Sequence, residues 1–159
     1  MSQVLSEQST CVEAFVALLR AHASLTRQLS AQLTAEHELT LSDFEVLLRL
    51  SRTPDRRMRR VDLADQVLLS ASGITRLLDG LERQGYVERA SCASDRRVVY
   101  AVLTDSGLDR LRTAATSHFG QVDDYFGERL EVDELATLTH LLDRLGDGES
   151  DAADCEPGA

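Results

Sequence analysis

The stretch LLSASGITRLLDGLERQGYVER, residues 68–89, decides the fold of this chain. Its apolar residues recur at intervals of three and four, which is the spacing of one buried face of a helix. Gly85 follows that pattern and is typical of a helix stop. A shorter apolar pattern precedes it, so residues 61–84 have the spacing of a helix-turn-helix unit. The apolar positions of the second helix are Ile74, Leu77, Leu78 and Leu81.

The N-terminal end of the other face carries short polar side chains and one guanidinium, with Asp79 and Arg83 further along the same face. A helix that enters a DNA groove needs small polar residues at its N-terminal end, because they allow close approach to bases and phosphates. Arg76 has the reach and geometry for the two acceptors of a guanine. The alternative is an ordinary surface helix with a polar outer face. The candidate DNA-contacting residues here are Ser70, Ser72, Thr75 and Arg76.

Two short β-like runs, residues 86–90 and 98–103, follow the helix and predict a hairpin. Its loop contains Asp95, Arg96 and Arg97. An arginine at a loop tip can enter the narrow, negative minor groove of DNA, and a nearby aspartate can orient it. A hairpin placed after a helix-turn-helix predicts a wing, whereas the alternative is a charged hairpin tip without a ligand.

Further helices surround this unit. A long amphipathic helix is predicted over residues 10–33, and another begins at Thr40, where Asp43 completes the spacing of a capping box, and ends at Pro54. A short extended piece is expected at 58–60, and a short helix over 63–68. Beyond the hairpin, Thr104 is a predicted N-cap. Two more helices are expected, the first carrying an apolar stripe over 108–126 and the second over 135–145. The acidic residues 147–159 are expected to be disordered.

The composition excludes several classes of protein. The chain has 159 residues, of which 43% are hydrophobic, enough for one folded domain. No apolar run approaches the length of a membrane span, and the N-terminus lacks the pattern of a secretory signal. The few aromatic residues, without tryptophan, favour a helical fold. We therefore expect an intracellular, mostly helical protein without a membrane partner.

The charge is unevenly distributed along the chain. The formal net charge is −10, but residues 52–97 hold ten arginines against seven acidic residues, a local balance of +3. The local potential matters more to a docking surface than the whole-molecule charge, because salt screens distant charges. Every basic residue except histidine is arginine. The guanidinium group suits contacts with phosphate and guanine. The alternative is that arginine replaces lysine because of the base composition of the genome. The middle of the chain is therefore the candidate nucleic-acid surface.

Residues 68–89, together with Asp95-Arg96-Arg97-Val98 and Leu103-Thr104-Asp105-Ser106-Gly107, resemble the MarR family of bacterial transcription regulators. The resemblance extends from about Leu41 to Gly107 and covers element order and motif residues. It implies a mainly α-helical fold with a small β-hairpin, in which residues 38–103 form a winged helix-turn-helix. It also implies one subunit over 1–146, with dimerisation helices at 8–36 and 104–146, and a cytoplasmic location at the bacterial nucleoid.

The resemblance assigns roles to single residues. Ser72, Thr75 and Arg76 match the groove-reading positions, and Asp95 and Arg97 match the wing aspartate and the minor-groove arginine. Contacts to the DNA backbone are expected from Arg59 and Arg60, and Phe44 and Leu48 are expected to border an effector cleft, although core packing is the alternative for both of the latter. The apolar stripes of the outer helices independently predict a homodimer, because a winged domain alone cannot cover them.

No catalytic or metal site is expected. The sequence contains none of the common nucleophile, phosphate-loop, dinucleotide or metalloprotease motifs. Cys11, Cys92 and Cys155 are too far apart in sequence for a C-x-x-C motif, and the four histidines include no pair at metal-ligand spacing within a helix. Cys11 and Cys92 are redox candidates whose simpler interpretation is an unreactive thiol. We expect no cofactor.

The leading hypothesis is therefore a dimeric regulator, a repressor, that binds a palindromic double-stranded DNA site and is released by a small-molecule effector. The alternative is a winged-helix module that binds protein instead of DNA, which would explain the negative net charge. It would not explain Arg97 or the excess of arginine over acidic residues in residues 52–97.

Overall fold

The computed structural model describes residues 9–67, 69–91 and 98–146 and is mainly helical. A 3-10 turn over Pro54–Arg56 joins the second helix to the first strand. The predicted class, a helical fold with a small β element, is confirmed. The helices are α1 (Thr10–His37), α2 (Leu41–Arg52), α3 (Arg60–Gln66), α4 (Ala71–Arg83), α5 (Asp105–Gly127) and α6 (Val132–Leu145), and the strands are β1 (Arg57–Arg59), β2 (Val87–Ser91) and β3 (Val99–Leu103).

The sheet has three antiparallel strands in the order β1-β3-β2, so the predicted hairpin of β2 and β3 gains a third strand. Met58 of β1 pairs with Ala101, and Arg89 of β2 pairs with the same residue from the other side. The extended piece expected at 58–60 lies one residue earlier, because Arg60 already begins α3. The helix expected at 63–68 accordingly starts at Arg60 and ends at Gln66.

Local capping fixes the starts of two helices as predicted. The Thr40 hydroxyl accepts the Asp43 amide at 3.1 Å, and the Asp43 carboxylate accepts the Thr40 amide at 2.9 Å, which completes the capping box of α2. The Thr104 hydroxyl accepts the amide of Gly107 at 3.0 Å and so caps α5. Each contact satisfies amides that the first turn of a helix leaves without partners.

The apolar core joins α2 to the helix-turn-helix and the sheet. Leu47, Leu50 and Leu63 are fully buried, and the three predicted core positions Ile74, Leu78 and Leu81 bury the inner face of α4. Leu77, the fourth predicted core position, is half-buried and packs against the edge of this cluster. Burying these side chains is the dominant favourable term that holds α4 in place.

The chain divides into two compact units, residues 1–119 and residues 120–159. The first contains α1 to α4, the sheet and most of α5. The second contains the end of α5 and α6. The predicted domain bounds remain predictions, and the tail at 147–159 lies outside the described residues.

Candidate nucleic-acid interface

The N-terminus of α4 presents two serine hydroxyls. Ser70 is the N-cap, and its hydroxyl accepts the amide of Gly73 at 3.1 Å. Ser72 lies in the first turn, and its hydroxyl oxygen is 3.2 Å from that of Ser70. Both side chains are exposed. The cap therefore leaves Ser72 available to a ligand, while Ser70 is partly occupied in holding the helix start.

Arg76 is the exposed guanidinium on the same face, one turn further along α4. Within the described residues it takes part in no ion pair closer than 4.0 Å. Thr75 differs, because its side chain is half-buried and its hydroxyl donates to the Ala71 carbonyl at 2.8 Å. The Thr75 hydroxyl also accepts a hydrogen bond from Arg60 at 3.3 Å. Of the two, Arg76 is the residue free to reach outward.

The two arginines expected at the DNA backbone are both engaged within the subunit. Arg59 contacts Asp62 through two nitrogens, Nε at 2.7 Å and Nη2 at 3.0 Å. This hydrogen bond and the charge of Asp62 raise the pKa of Arg59 above its ordinary value. Arg60 is half-buried and contacts α4 through Thr75. Arg60 thereby links the start of α3 to the outer face of α4.

Sequence reasoning missed a cluster of charges between α4 and the wing. The guanidinium of Arg89 on β2 forms an ion pair with Asp79 through Nη2, and its Nε lies 3.1 Å from Glu82 Oε2. Both acids belong to α4. The only sequence signal was the charge of the three residues, because they lie seven and ten positions apart along the chain.

The wing contains further site residues that lie outside the described part of the chain. They are Asp95, Arg96 and Arg97. The redox candidate Cys92 also lies outside the described residues. The strands on either side of them are described, and Ser91 pairs with Val99 at the outer end of the hairpin. The roles of these three site residues therefore remain predictions.

The junction of α4 with β2 is held by the start of α5. Gly85 has a φ of +75°, a backbone conformation that favours glycine. The Thr104 hydroxyl donates to the Gly85 carbonyl at 2.7 Å, and the Thr104 amide donates to the Tyr86 carbonyl at 3.1 Å. Arg110 Nε donates to the Tyr86 hydroxyl at 2.8 Å. These contacts position the helix and the wing strand relative to α5.

Phe44 belongs to an aromatic cluster in which Phe44 and His118 are buried and Phe119 is exposed. Its side chain is 3% exposed, and its ring centroid lies 4.7 Å from that of His118 and 6.0 Å from that of Phe119. Leu48 is half-buried beside the core. Burial lowers the pKa of His118 below its ordinary value. The effector role expected of Phe44 and Leu48 stays a prediction, since the burial of Phe44 is that of a core residue.

Several apolar side chains remain exposed on the outer helices. On α1, Phe15 is 58% exposed and Leu19 is 51% exposed. On α6, Leu145 is 74% exposed, and Leu141 and Leu142 are also exposed. A folded subunit rarely leaves such residues at repeated helical positions in water unless they form an interface.

The described residues contain no group of three or more histidine, cysteine, aspartate or glutamate side chains arranged to hold a metal ion. Cys11, the redox candidate that the described residues include, is exposed near the start of α1. Among the same residues, no helix combines the length and hydrophobicity needed to cross a membrane.

Comparison with known proteins places this architecture in a family. A model described as the MarR family matches residues 39–99. The HTH-type transcriptional regulator MhqR of Bacillus subtilis (strain 168) is 28% identical over 132 residues, 83% of this chain and 88% of that protein. The HTH-type transcriptional repressor YetL of the same organism is 33% identical over 111 residues, 67% of this chain and 66% of that protein.

A solved structure agrees with these relatives over a larger part of the chain. AbsC, a MarR family transcriptional regulator from Streptomyces coelicolor, is 32% identical, with a TM-score of 0.79. The match covers 87% of this chain and 94% of AbsC. The resemblance of residues 68–89 to this family is therefore confirmed by sequence and by fold: the chain belongs to the MarR family of transcriptional regulators.

Proposed function

We propose that this chain binds a specific double-stranded DNA site as a homodimer and thereby represses transcription. The observation that carries the proposal is the outer face of α4, where Ser72 and Arg76 are exposed while the opposite face is buried in the core. A helix with short polar residues at its N-terminal end and the exposed guanidinium of Arg76 one turn further along matches the requirements of major-groove recognition.

The proposed contacts fall into two groups. Ser70, Ser72, Thr75 and Arg76 face the major groove, and Arg76 reads a base edge. Asp95, Arg96 and Arg97 act at the minor groove, where Arg97 enters and Asp95 orients it. Arg59 and Arg60 contribute to the phosphate backbone. Arg59 is paired with Asp62 through Nε and Nη2, so its other N–H groups would make the contact to a phosphate.

The homodimer is supported by the exposed apolar residues of α1 and α6. A twofold dimer would place two copies of α4 roughly 34 Å apart, one helical turn of DNA, and so favour a palindromic site. Sedimentation equilibrium at micromolar concentration should give the mass of two chains. Substitution of the exposed Leu142 by Asp should shift the equilibrium towards one chain, whereas a wild-type monomer would contradict the dimer.

The proposal includes the direction of regulation, which is repression, and its control, which is release of DNA when a small molecule binds. YetL is named a repressor, which supports the direction of regulation. A small molecule entering beside Leu48 and Phe44 would act close to the aromatic cluster of α2 and α5. Leu48→Ala should then weaken release of DNA by an active compound. Equal release from the wild type and from this variant would remove Leu48 from the effector site.

The setting of this activity is the bacterial cytoplasm, at the nucleoid, and its partners are DNA, a second copy of the chain and an effector. The relatives MhqR and YetL come from a bacterium, and both are named transcriptional regulators rather than enzymes. We propose accordingly that the chain acts by binding alone, without a catalytic step or a cofactor.

The decisive experiment is selection of bound duplexes from a random pool with the full chain. Recovery of a twofold-symmetric sequence is expected. Binding through about 6–10 phosphates should lose roughly 10³–10⁵ in affinity between 50 and 200 mM salt. Absence of any enriched sequence, together with salt-insensitive capture of a protein, would favour the alternative of a protein-binding winged helix.

Two substitutions then separate the proposed roles. Arg76→Ala should lower affinity for the selected duplex by about 1–3 kcal/mol and relax the preference at one base step. Arg97→Ala should weaken binding while the major-groove preference stays unchanged. Equal, sequence-independent losses from both variants would show that the assignment of Arg76 to a base edge is wrong.

A further inference from the structure

Arg89 joins the wing to the outer face of α4. Its guanidinium contacts two carboxylates of that helix, Asp79 through Nη2 and Glu82 through Nε at 3.1 Å. The three side chains are between 39% and 47% exposed, so the pairs lie at the surface and within reach of a docked ligand. One guanidinium thus contacts both acids and offsets one of their two negative charges.

Asp79 occupies the face of α4 that the proposed function directs to DNA. It follows Thr75 by four residues and Arg76 by three, and residues at these spacings are neighbours on a helix surface. Ser72 lies two turns earlier on the same side, since seven residues complete almost two turns. A carboxylate therefore stands among the residues proposed to meet bases and phosphates.

An uncompensated carboxylate at that place would oppose DNA binding in two ways. It would repel the phosphates of the duplex, as like charges do across an interface. It would also attract the guanidinium of Arg76, because acidic and basic residues three positions apart pair on a helix. Arg76 would then be held against the helix instead of reaching a base.

We propose that Arg89 is a positioning residue for DNA recognition. It holds Asp79 and Glu82 towards β2, offsets one of their two negative charges, and leaves Arg76 free to project outward. The same contacts fix β2, the first strand of the wing, relative to α4. This role rests on the proposed function, since it concerns how α4 presents Arg76 to DNA.

The test is a double-mutant cycle on the full chain, with a duplex selected by the wild-type protein as the probe. Arg89→Met should reduce affinity roughly 5- to 50-fold and relax the preference at the base step that Arg76→Ala also relaxes. In a background of Asp79→Asn with Glu82→Gln, the same change should alter affinity by less than about twofold, because its two partners are already neutral.

Two further variants serve as controls, one that removes a positive charge elsewhere and one that keeps the positive charge at residue 89. Arg112 on α5 is exposed and pairs with Asp109 three residues before it, so Arg112→Met removes one positive charge from a different helix. That variant should keep the base preference. Arg89→Lys retains the charge and should recover part of the affinity. Equal losses from Arg89→Met in both backgrounds would mean that Arg89 contacts DNA directly, which overturns the proposal.

A measurement without DNA separates this proposal from the proposed function. The urea midpoint of Arg89→Met should fall relative to wild type, but not in the background that lacks both carboxylates. Additive midpoints would show that the three residues are not coupled, which overturns the proposal even if the protein binds DNA. If the midpoints are non-additive and no duplex is bound, the proposed function fails while the link between α4 and β2 stands.

Discussion

Gly107, in the first turn of α5, lies against the backbone of the turn that connects α4 to β2. A methyl group at this position would be 2.1 Å from the Tyr86 carbonyl oxygen and 2.8 Å from Leu103 Cδ1. Ordinary carbon–oxygen contacts are about 3.3–3.6 Å, so the Tyr86 carbonyl would have to move by about 1.2–1.5 Å. That carbonyl accepts the amide of Thr104 and cannot move without lengthening this hydrogen bond.

The expected effect of Gly107→Ala combines opposing contributions. Alanine in a helix is favoured over glycine by about 1 kcal/mol. Overpacking costs about 1–3 kcal/mol, and a weakened hydrogen bond costs about another 1 kcal/mol. The net result should be a protein destabilised by about 2 kcal/mol, because the steric cost exceeds the gain in helix propensity.

Urea denaturation of the full chain measures this change, with Gly80→Ala as the matched control. Gly80 is also helical, and a methyl group there would meet nothing within 4 Å apart from its chain neighbours and the backbone of its own helix. Gly80→Ala should therefore stabilise the protein by about 0.5–1 kcal/mol. If Gly107→Ala stabilised the protein to the same extent, the close approach of α5 to Tyr86 would be refuted.

Two other predictions concern the start of α2 and the aromatic cluster. Thr40→Ala should lower the free energy of unfolding by about 1 kcal/mol in urea denaturation, while Thr40→Ser should retain most of the cap; equal stability of all three proteins would contradict the capping role. Burial lowers the pKa of His118 in the folded state. The unfolded chain therefore binds more protons than the folded chain near this pKa. As a result, the free energy of unfolding should fall as the pH drops below the ordinary histidine pKa of 6.5. His118→Phe should reduce this fall between pH 7.5 and 5.5, measured by thermal unfolding. An identical pH dependence of His118→Phe and wild type would remove His118 from this role.

Much of the fold followed from short-range patterns in the sequence. The intervals between apolar residues located α1, α2, α4 and both strands of the hairpin, because burial of one face leaves a periodic trace. The caps at Thr40 and Thr104 were also readable, since a capping side chain acts within three or four residues. The class of the candidate site followed in the same way, from short polar residues and Arg76 on the outer face of α4.

Other features are contacts between residues that are distant in sequence, and no local sequence pattern predicts such contacts. The extended piece that became β1 was predicted, but its pairing with β3, more than forty residues later, was not. Thr75 is bound to Arg60, which is fifteen residues earlier, so its hydroxyl is less available than its exposed neighbours suggested. Arg59 is likewise held by Asp62.

The sequence by itself determined the order of helices and strands, the outer face of α4 and the membership of a family, because periodicity and motif spacing are local properties. Only the tertiary structure decided which charges neutralise one another and which side chains stay free. Arg89 meets Asp79 and Glu82 because the turn at Gly85 folds β2 back along α4, and that direction depends on contacts with α5. Electrostatic compensation depends on distance in space, which the chain order does not contain.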